Sequence, residues 1–296
     1  MRLELCAKRS GKLRGFLRNE LNLSAGLVSR LKDTGDITVN GTFVFTDFAV
    51  EVGDVISVEI VEEYPDFPPE SMDLTILYED SSIIALDKPP GMLMHPTANR
   101  HIGTLANGLL GYYIKTGQKC GIHPISRLDR DTFGVVLFAK NGHIHHRFQG
   151  NIQKIYHGLV WGAPLVDGGV IDLGIGRKAG SLFRFLDKNG KNAVTKYRVL
   201  QRGQWTSLLE LVPVTGRTHQ LRLHCKALGH PLVGEPFYSW FPRKKGEYQQ
   251  LLAQKILFTH PITGEQMEIA SRLSLWQRRP EGAERVFREN EGTVRF

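Results

Sequence analysis

The sequence predicts an α+β protein: a mixed, mainly antiparallel sheet with packed helices, preceded by a small α+β module. Three observations carry this. From Leu74 onward, short β-branched runs separated by Gly, Asn and Asp outnumber the helical stretches and do not alternate strictly with them, which argues against a doubly wound sheet. Charge is split near the start: residues 1–32 hold eight basic and two acidic side chains, residues 33–63 none basic and eight acidic. Between that segment and the sheet lies E-E-Y-P-D-F-P-P-E-S, where Pro65, Pro68 and Pro69 cannot continue a ladder and favour extended chain. The resulting boundaries are 12–61 for the small module, 62–71 for a linker and 72–285 for the main domain.

In the small module, Leu13, Phe16, Leu17 and Leu21 recur at helical spacing. Ser24 can cap a second helix bearing Leu27, Val28 and Leu31, and Gly35 suits its end. Ile37 to Val39 and Thr42 to Phe45 flank Asn40-Gly41, a dipeptide that favours a tight hairpin turn, and Ile56, Val58 and Ile60 alternate with polar residues as in a half-buried strand. In the main domain Thr104 can cap a helix with Leu105, Leu109, Leu110 and Tyr113. Gly134 to Ala139 reads as a strand, Ala193 to Leu200 and Trp205 to Val214 as a hairpin, and Arg217 to Leu228 as a helix ended by Gly229.

Composition narrows the function. At 296 residues and 41% hydrophobic content the chain can bury a core without staples, and the scattered Cys6, Cys120 and Cys225 read as free thiols of a reducing compartment. The first ten residues are charged with no apolar run behind them, and nowhere do eighteen apolar residues follow one another. A cytoplasmic protein without signal peptide or membrane span is expected, as a monomer. The net charge of +8 suggests a polyanionic partner.

Two segments hold the chemistry. R-L-D-R-D-T-F-G (Arg127 to Gly134) sets a carboxylate between arginines just before a strand, and G-R-T-H-Q-L-R-L-H (Gly216 to His224) supplies an arginine, Arg217, that could sit beside it. A cation a few ångströms from a carboxylate favours its charged form. Taken alone, an Asp beside two arginines is more often a structural ion pair. These segments, however, resemble the RluA/RluD-type pseudouridine synthases, whose Asp lies in H-R-L-D-x-x-T-S-G. The resemblance continues through L-D-K-P-P-G-M-L-M-H-P (Leu86 to Pro96), Q-K-I-Y-H-G-L-V-W-G (Gln153 to Gly162), A-V-T-K-Y (Ala193 to Tyr197), H-P-L-V-G-E-P-F-Y (His230 to Tyr238) and H-P-I-T-G-E (His260 to Glu265). Ser126 stands where that family usually has His, and Phe133 where it usually has Ser.

The resemblance implies the pseudouridine synthase fold, an RNA partner (ribosomal RNA, with transfer RNA as the alternative) and a set of roles. Asp129 would attack the anomeric carbon or remove a ribose proton, and Arg217 would pair with it. Tyr156 would stack on the uracil, with its hydroxyl the suggested group for deprotonating carbon-5. Arg127 would fill the space left by the flipped base, Lys154 would support the site electrostatically, and Leu221 would add an apolar wall. The helix, helix, hairpin order of residues 12–61 resembles the small RNA-binding domain of ribosomal protein S-four, which docks RNA on its helices. That implies RNA contacts for Arg14, Arg18, Arg30 and Lys32, residues otherwise read as the solvated face of amphipathic helices.

Isomerisation of uridine gains and loses no atom, so no cofactor is expected. No phosphate-cradling G-x-x-x-x-G-K-S occurs, and Gly174, Gly176 and Gly180 miss the dinucleotide spacing. No metal is expected either: His143, His145 and His146, and His219 and His224, have no Cys or carboxylate at usual ligand spacing, and Cys120-x-x-His123 has no second half. Two rival readings stay open: an RNA-binding or ribosome-assembly protein with an inactive synthase domain, motivated by Ser126 and Phe133, and a base-excising glycosylase using the same carboxylate.

Overall fold

The computed structural model describes residues 1–275 apart from residues 35, 63, 149–151, 179 and 244. Gly35 and the expected domain end at 285 thus lie outside the described residues. The main sheet runs, edge to edge, through Gly168–Asp172, Val194–Arg202, Thr206–Pro213, Ile152–Trp161, Leu251–Thr259, Phe133–Ala139, Ile83–Lys88 and Thr75–Glu79, with Gln266–Ala270 and His123–Pro124 pairing alongside. Its pairings are antiparallel except one, where Phe133 and Gly134 run parallel to Leu252 and Ala253. This is the predicted mixed, mainly antiparallel sheet. Phe133–Ala139 is buried at every position, as a strand covered on both faces must be.

The helix Leu105–Lys115 packs on this sheet. Its start is a reciprocal cap: Asn107 N–H donates to Thr104 Oγ1 at 3.4 Å and Thr104 N–H to Asn107 Oδ1 at 3.1 Å. Residues of the expected linker are strapped to it. Asn107 Nδ2 donates to the Pro68 carbonyl at 2.8 Å and Glu70 N–H to the Asn107 carbonyl at 3.0 Å. The strap can lie so close because Gly108 and Gly111 present no Cβ, which would collide with Met72 and with the Glu70 carbonyl. Prolines read in isolation signal extended chain but not what that chain lies against.

The N-terminal residues form a separate apolar cluster that includes Leu13, Phe16, Leu27, Leu31, Ile37, Ile56 and Val58. Helical turns over Leu13–Gly15 and Phe16–Glu20, then a helix Ala25–Thr34, precede a hairpin turning at Asn40 and Gly41, both at positive φ (51° and 79°). A strand ahead of the expected start at residue 12 joins the same sheet. Arg2–Cys6 pairs in full with Val55–Glu59, with Leu3 and Leu5 half-buried against the cluster while Arg2 and Glu4 are exposed. Among the described residues no helix is long and apolar enough to cross a membrane.

Candidate active site

Asp129 sits, half-buried, in the loop that leads into Phe133–Ala139, and that loop is pinned from several sides. Ser126 Oγ accepts the Leu137 N–H at 3.0 Å, Gln249 Nε2 donates to Thr132 Oγ1 at 2.6 Å, and Arg130 and Arg243 both pair with Asp131 at 2.8 Å. Burial works against charge on Asp131, but those two guanidinium groups outweigh it and hold the carboxyl below its usual range. From beneath, Lys88 is wholly buried (0% exposed) and spends its three donors on the carbonyls of Pro89, Met92 and Arg130 at 3.0, 2.8 and 2.8 Å. Burial pushes its ammonium down to about 7, with Asp131 and Asp129 opposing. Gly134 closes the loop at φ 107°, where a Cβ would collide with the Ala253 carbonyl of the parallel neighbour.

Asp129 has an arginine partner, but it is not Arg217. Arg222 Nη1 donates to Asp129 Oδ2 at 3.0 Å, while its Nε and Nη2 grip the buried Glu235 at 2.8 and 2.6 Å. Burial disfavours the Arg222 charge, yet Glu235 and Asp129 together raise it above its ordinary range. Arg217 is exposed and donates from Nε to the Asn192 carbonyl at 2.9 Å. The reason is where the helix starts. His219 adopts left-handed φ (59°), so the helix runs Gln220–Ala227 instead of beginning at Arg217, and Arg222 falls in its first turn. Gln220 completes the entry by accepting the Arg217 N–H at 2.9 Å.

His219 itself belongs to the site. Its Nε2 lies 3.8 Å from Asp129 Oδ2, and its Nδ1 is 2.7 Å from the Tyr238 hydroxyl. That hydroxyl already accepts the Arg184 N–H at 3.0 Å, so its own proton is best used toward Nδ1, which leaves the Nε2 proton facing Asp129. Burial lowers the imidazole below its usual range, with Asp129 opposing. Arg222, Glu235, His219 and Tyr238 all lie within the family-like motifs, but no spacing rule singles them out.

Tyr156 is buried on Ile152–Trp161, and burial followed by the charge of Asp129 raises its phenol above the ordinary range. A register shift against Leu251–Thr259 falls between Ile155 and Tyr156, a bulge of the kind that re-aims a side chain beside a site. Lys154, on the same strand, is lowered by burial and then by Arg127, and His95 is lowered by the same two causes. Arg127 is exposed. Leu221 lies in the main core with Leu128 and Tyr156. Away from this site, Arg14, Arg18, Arg30 and Lys32 are all exposed, although Arg18 donates to the Leu23 carbonyl and Arg30 attracts Glu62. Among the described residues no three His, Cys, Asp or Glu side chains converge as metal ligands would.

The site thus sets a carboxylate on a pinned loop, gripped by a buried arginine, close enough to a buried tyrosine of the mixed sheet for its charge to be felt there. The family model for RNA pseudouridylate synthase matches residues 82–227. YlyB of Bacillus subtilis, an uncharacterized RNA pseudouridine synthase, is 36% identical over 279 residues, 90% of this chain and 91% of that protein. Ribosomal large subunit pseudouridine synthase D of Neisseria meningitidis is 36% identical over 231 residues, 71% of this chain and 61% of that protein. In fold, the chain is similar to human RNA pseudouridylate synthase domain containing 1, with a TM-score of 0.57 at 24% identity over 69% of this chain and 85% of that one. The chain belongs to the RNA pseudouridine synthase family.

Proposed function

We propose that this enzyme converts uridines in structured RNA to pseudouridine with Asp129 as the reacting group, ribosomal RNA being the substrate class. The observation that carries the reading is the Arg222 fork: one nitrogen holds Asp129 Oδ2 at 3.0 Å while the others are fixed on buried Glu235. An oxygen held in this way is poised to take the anomeric carbon of a flipped uridine, or its 2′ proton, as the bond from C1′ to N1 breaks. The uracil turns, C1′ bonds to C5 as its bond to Asp129 breaks or as Asp129 returns the 2′ proton, and a general base takes the C5 proton while N1 gains one from solvent. Tyr156 offers a ring for the base and a hydroxyl that burial keeps neutral, so it could take the C5 proton only by passing its own on in the same step. Arg127 would support the vacated stack, with Lys154 beside it. The ribosomal assignment is supported by the name of the Neisseria relative and by the basic side chains of the N-terminal module, which would anchor RNA as the S-four-like resemblance implies.

The reading of an inactive synthase domain rested on Ser126 and Phe133. Both have scaffold duties here, Ser126 as an acceptor for Leu137 and Phe133 packed with Leu252 and Leu275, and neither duty calls for loss of chemistry at Asp129. The test is to map carbodiimide-reactive pseudouridines in RNA from cells with and without the gene, then treat RNA of the deleted strain with purified protein. Restoration of the missing sites supports the proposal. Free uracil in place of pseudouridine would make the protein a glycosylase, and no change at any site would sink the reading.

A further inference from the structure

Beside Asp129 the molecule exposes aromatic surface that the isomerisation itself does not use. Phe237 is 47% exposed and Phe183 54%, and their rings pack edge to face with centroids 5.1 Å apart. Phe237 is tied to the reacting carboxylate through Arg222, whose guanidinium carbon lies 5.2 Å from the ring centroid while its Nη1 holds Asp129, and the Phe237 N–H donates to Glu235 Oε1 at 2.9 Å. Phe183 stands on a turn built to hold it. Arg184 Nη1 donates to the carbonyls of Ser181, Leu182 and Phe183 at 3.2, 3.1 and 3.1 Å, Ser181 Oγ accepts the Phe183 N–H, and the Arg184 N–H reaches the Tyr238 hydroxyl. The hairpin of Ile175–Arg177 and Arg184–Leu186 is bound to the catalytic helix by a small core of Ile175, Ala193, Leu223 and Tyr238.

Single exposed apolar residues are ordinary on a surface. Here the same hairpin also exposes Leu182 (80%) and Phe185, and the stretch from Gly176 to Lys191 that contains most of it holds five basic residues against one acidic. Interleaved cations and open aromatic faces are the composition that tracks single-stranded nucleic acid, where bases stack on rings and cations follow the backbone. A protein partner would fit the apolar part but not the charge. We propose that Phe237 and Phe183 form a stacking shelf for the base of a nucleotide flanking the target uridine, held by a hairpin that travels with the active-site helix. This rests on the reading of Asp129 as the reacting group in an RNA, and it assigns to the pair part of the sequence-context preference. Because the turn is already locked, little order is lost when a base lands.

Binding is measured on full-length wild-type protein, on a Phe183→Ala/Phe237→Ala double variant and on a Phe183→Tyr/Phe237→Tyr variant. The probe is a single-stranded nonauridylate with one 2-aminopurine, and melting curves are recorded for each protein. Wild type and the tyrosine variant should change the 2-aminopurine fluorescence on binding. The alanine variant should lose that change and bind at least about fivefold more weakly, as loss of one base stack implies. Its dependence of log affinity on log salt should be unaltered, because a ring releases no counterion. On RNA from the deleted strain its KM should rise by more than its kcat falls. An unchanged fluorescence response and KM in the alanine variant would overturn the shelf and leave the patch as a protein-docking face, and equal impairment of the tyrosine variant would make the rings merely structural. Wild type that makes no pseudouridine yet retains the stacking signal would instead overturn the chemistry assigned to Asp129.

Discussion

At Asp129, shape and charge separate cleanly. Replacing Asp129 by Asn keeps the volume and leaves Arg222 bidentate on Glu235, so the buried guanidinium does not lose its main partner. Pseudouridine formation should vanish while the melting temperature shifts by only a few degrees, and any isomerisation by purified Asp129→Asn protein would sink its assignment. Arg222→Lys removes the two-pronged geometry that lets one side chain serve two carboxylates. A turnover loss of roughly two orders of magnitude is expected from the misplaced Asp129, against at most a few-fold for Arg217→Lys, whose Nε serves the Asn192 carbonyl. Comparable losses in both variants, with melting curves showing both folded, would return Arg217 to the site. Asp129 and Tyr156 are named as candidates by the sequence directly, because each stands at a fixed position of a motif. Arg222 is not, because which arginine of G-R-T-H-Q-L-R faces the carboxylate depends on a backbone angle at His219 that no residue type dictates.

Among the elements, helix Gly142–Arg147 is where acid sensitivity is expected. His143 is buried on it, with neither ring nitrogen hydrogen-bonded, and burial pushes its imidazole down to about 4, with Arg147 and His146 adding to the shift. In the unfolded chain the same ring takes its proton near 6.5. The unfolded state therefore binds more protons between these values. The stability tied to a neutral His143 is fully present above pH 6.5 and is lost as pH falls through about 4, at about 1.4 kcal/mol per unit. His143→Leu forfeits no hydrogen bond, so it should cost less than about 1.5 kcal/mol at pH 7. Between pH 7 and 4.5 it should lose about 2–3 kcal/mol less than wild type in urea titrations; parallel losses in the two proteins would show that His143 does not carry the acid sensitivity. The sequence marked the strands, the Asn40-Gly41 turn and the Thr104 cap, where one or two residue types set the geometry. It did not mark Arg2–Cys6, whose alternation is too short to stand out without the Val55–Glu59 strand opposite.

At the scale of the molecule, the two apolar clusters suggest a division of labour in which residues before Glu62 add electrostatic affinity and the large sheet carries the reaction. The junction is not a loose tether. Glu62 Oε1 accepts the Gly142 N–H at 2.9 Å and Glu62 Oε2 lies 3.3 Å from His123 Nε2, so the basic module has a seat on the synthase body. For that reason charge removal is a cleaner test than truncation. Changing Arg14, Arg18, Arg30 and Lys32 to Gln should weaken RNA binding and lower the slope of log affinity against log salt, by roughly one for each phosphate that is no longer neutralised. Arg18 already serves the Leu23 carbonyl and Arg30 attracts Glu62, so the expected drop is about two to four. Turnover at saturating RNA should stay near the wild-type value, because Asp129, Arg222 and Tyr156 all lie on the synthase body. An unchanged salt slope, or a collapse of kcat with the melting curve intact, would show that the module does not anchor RNA in the way its charge suggests.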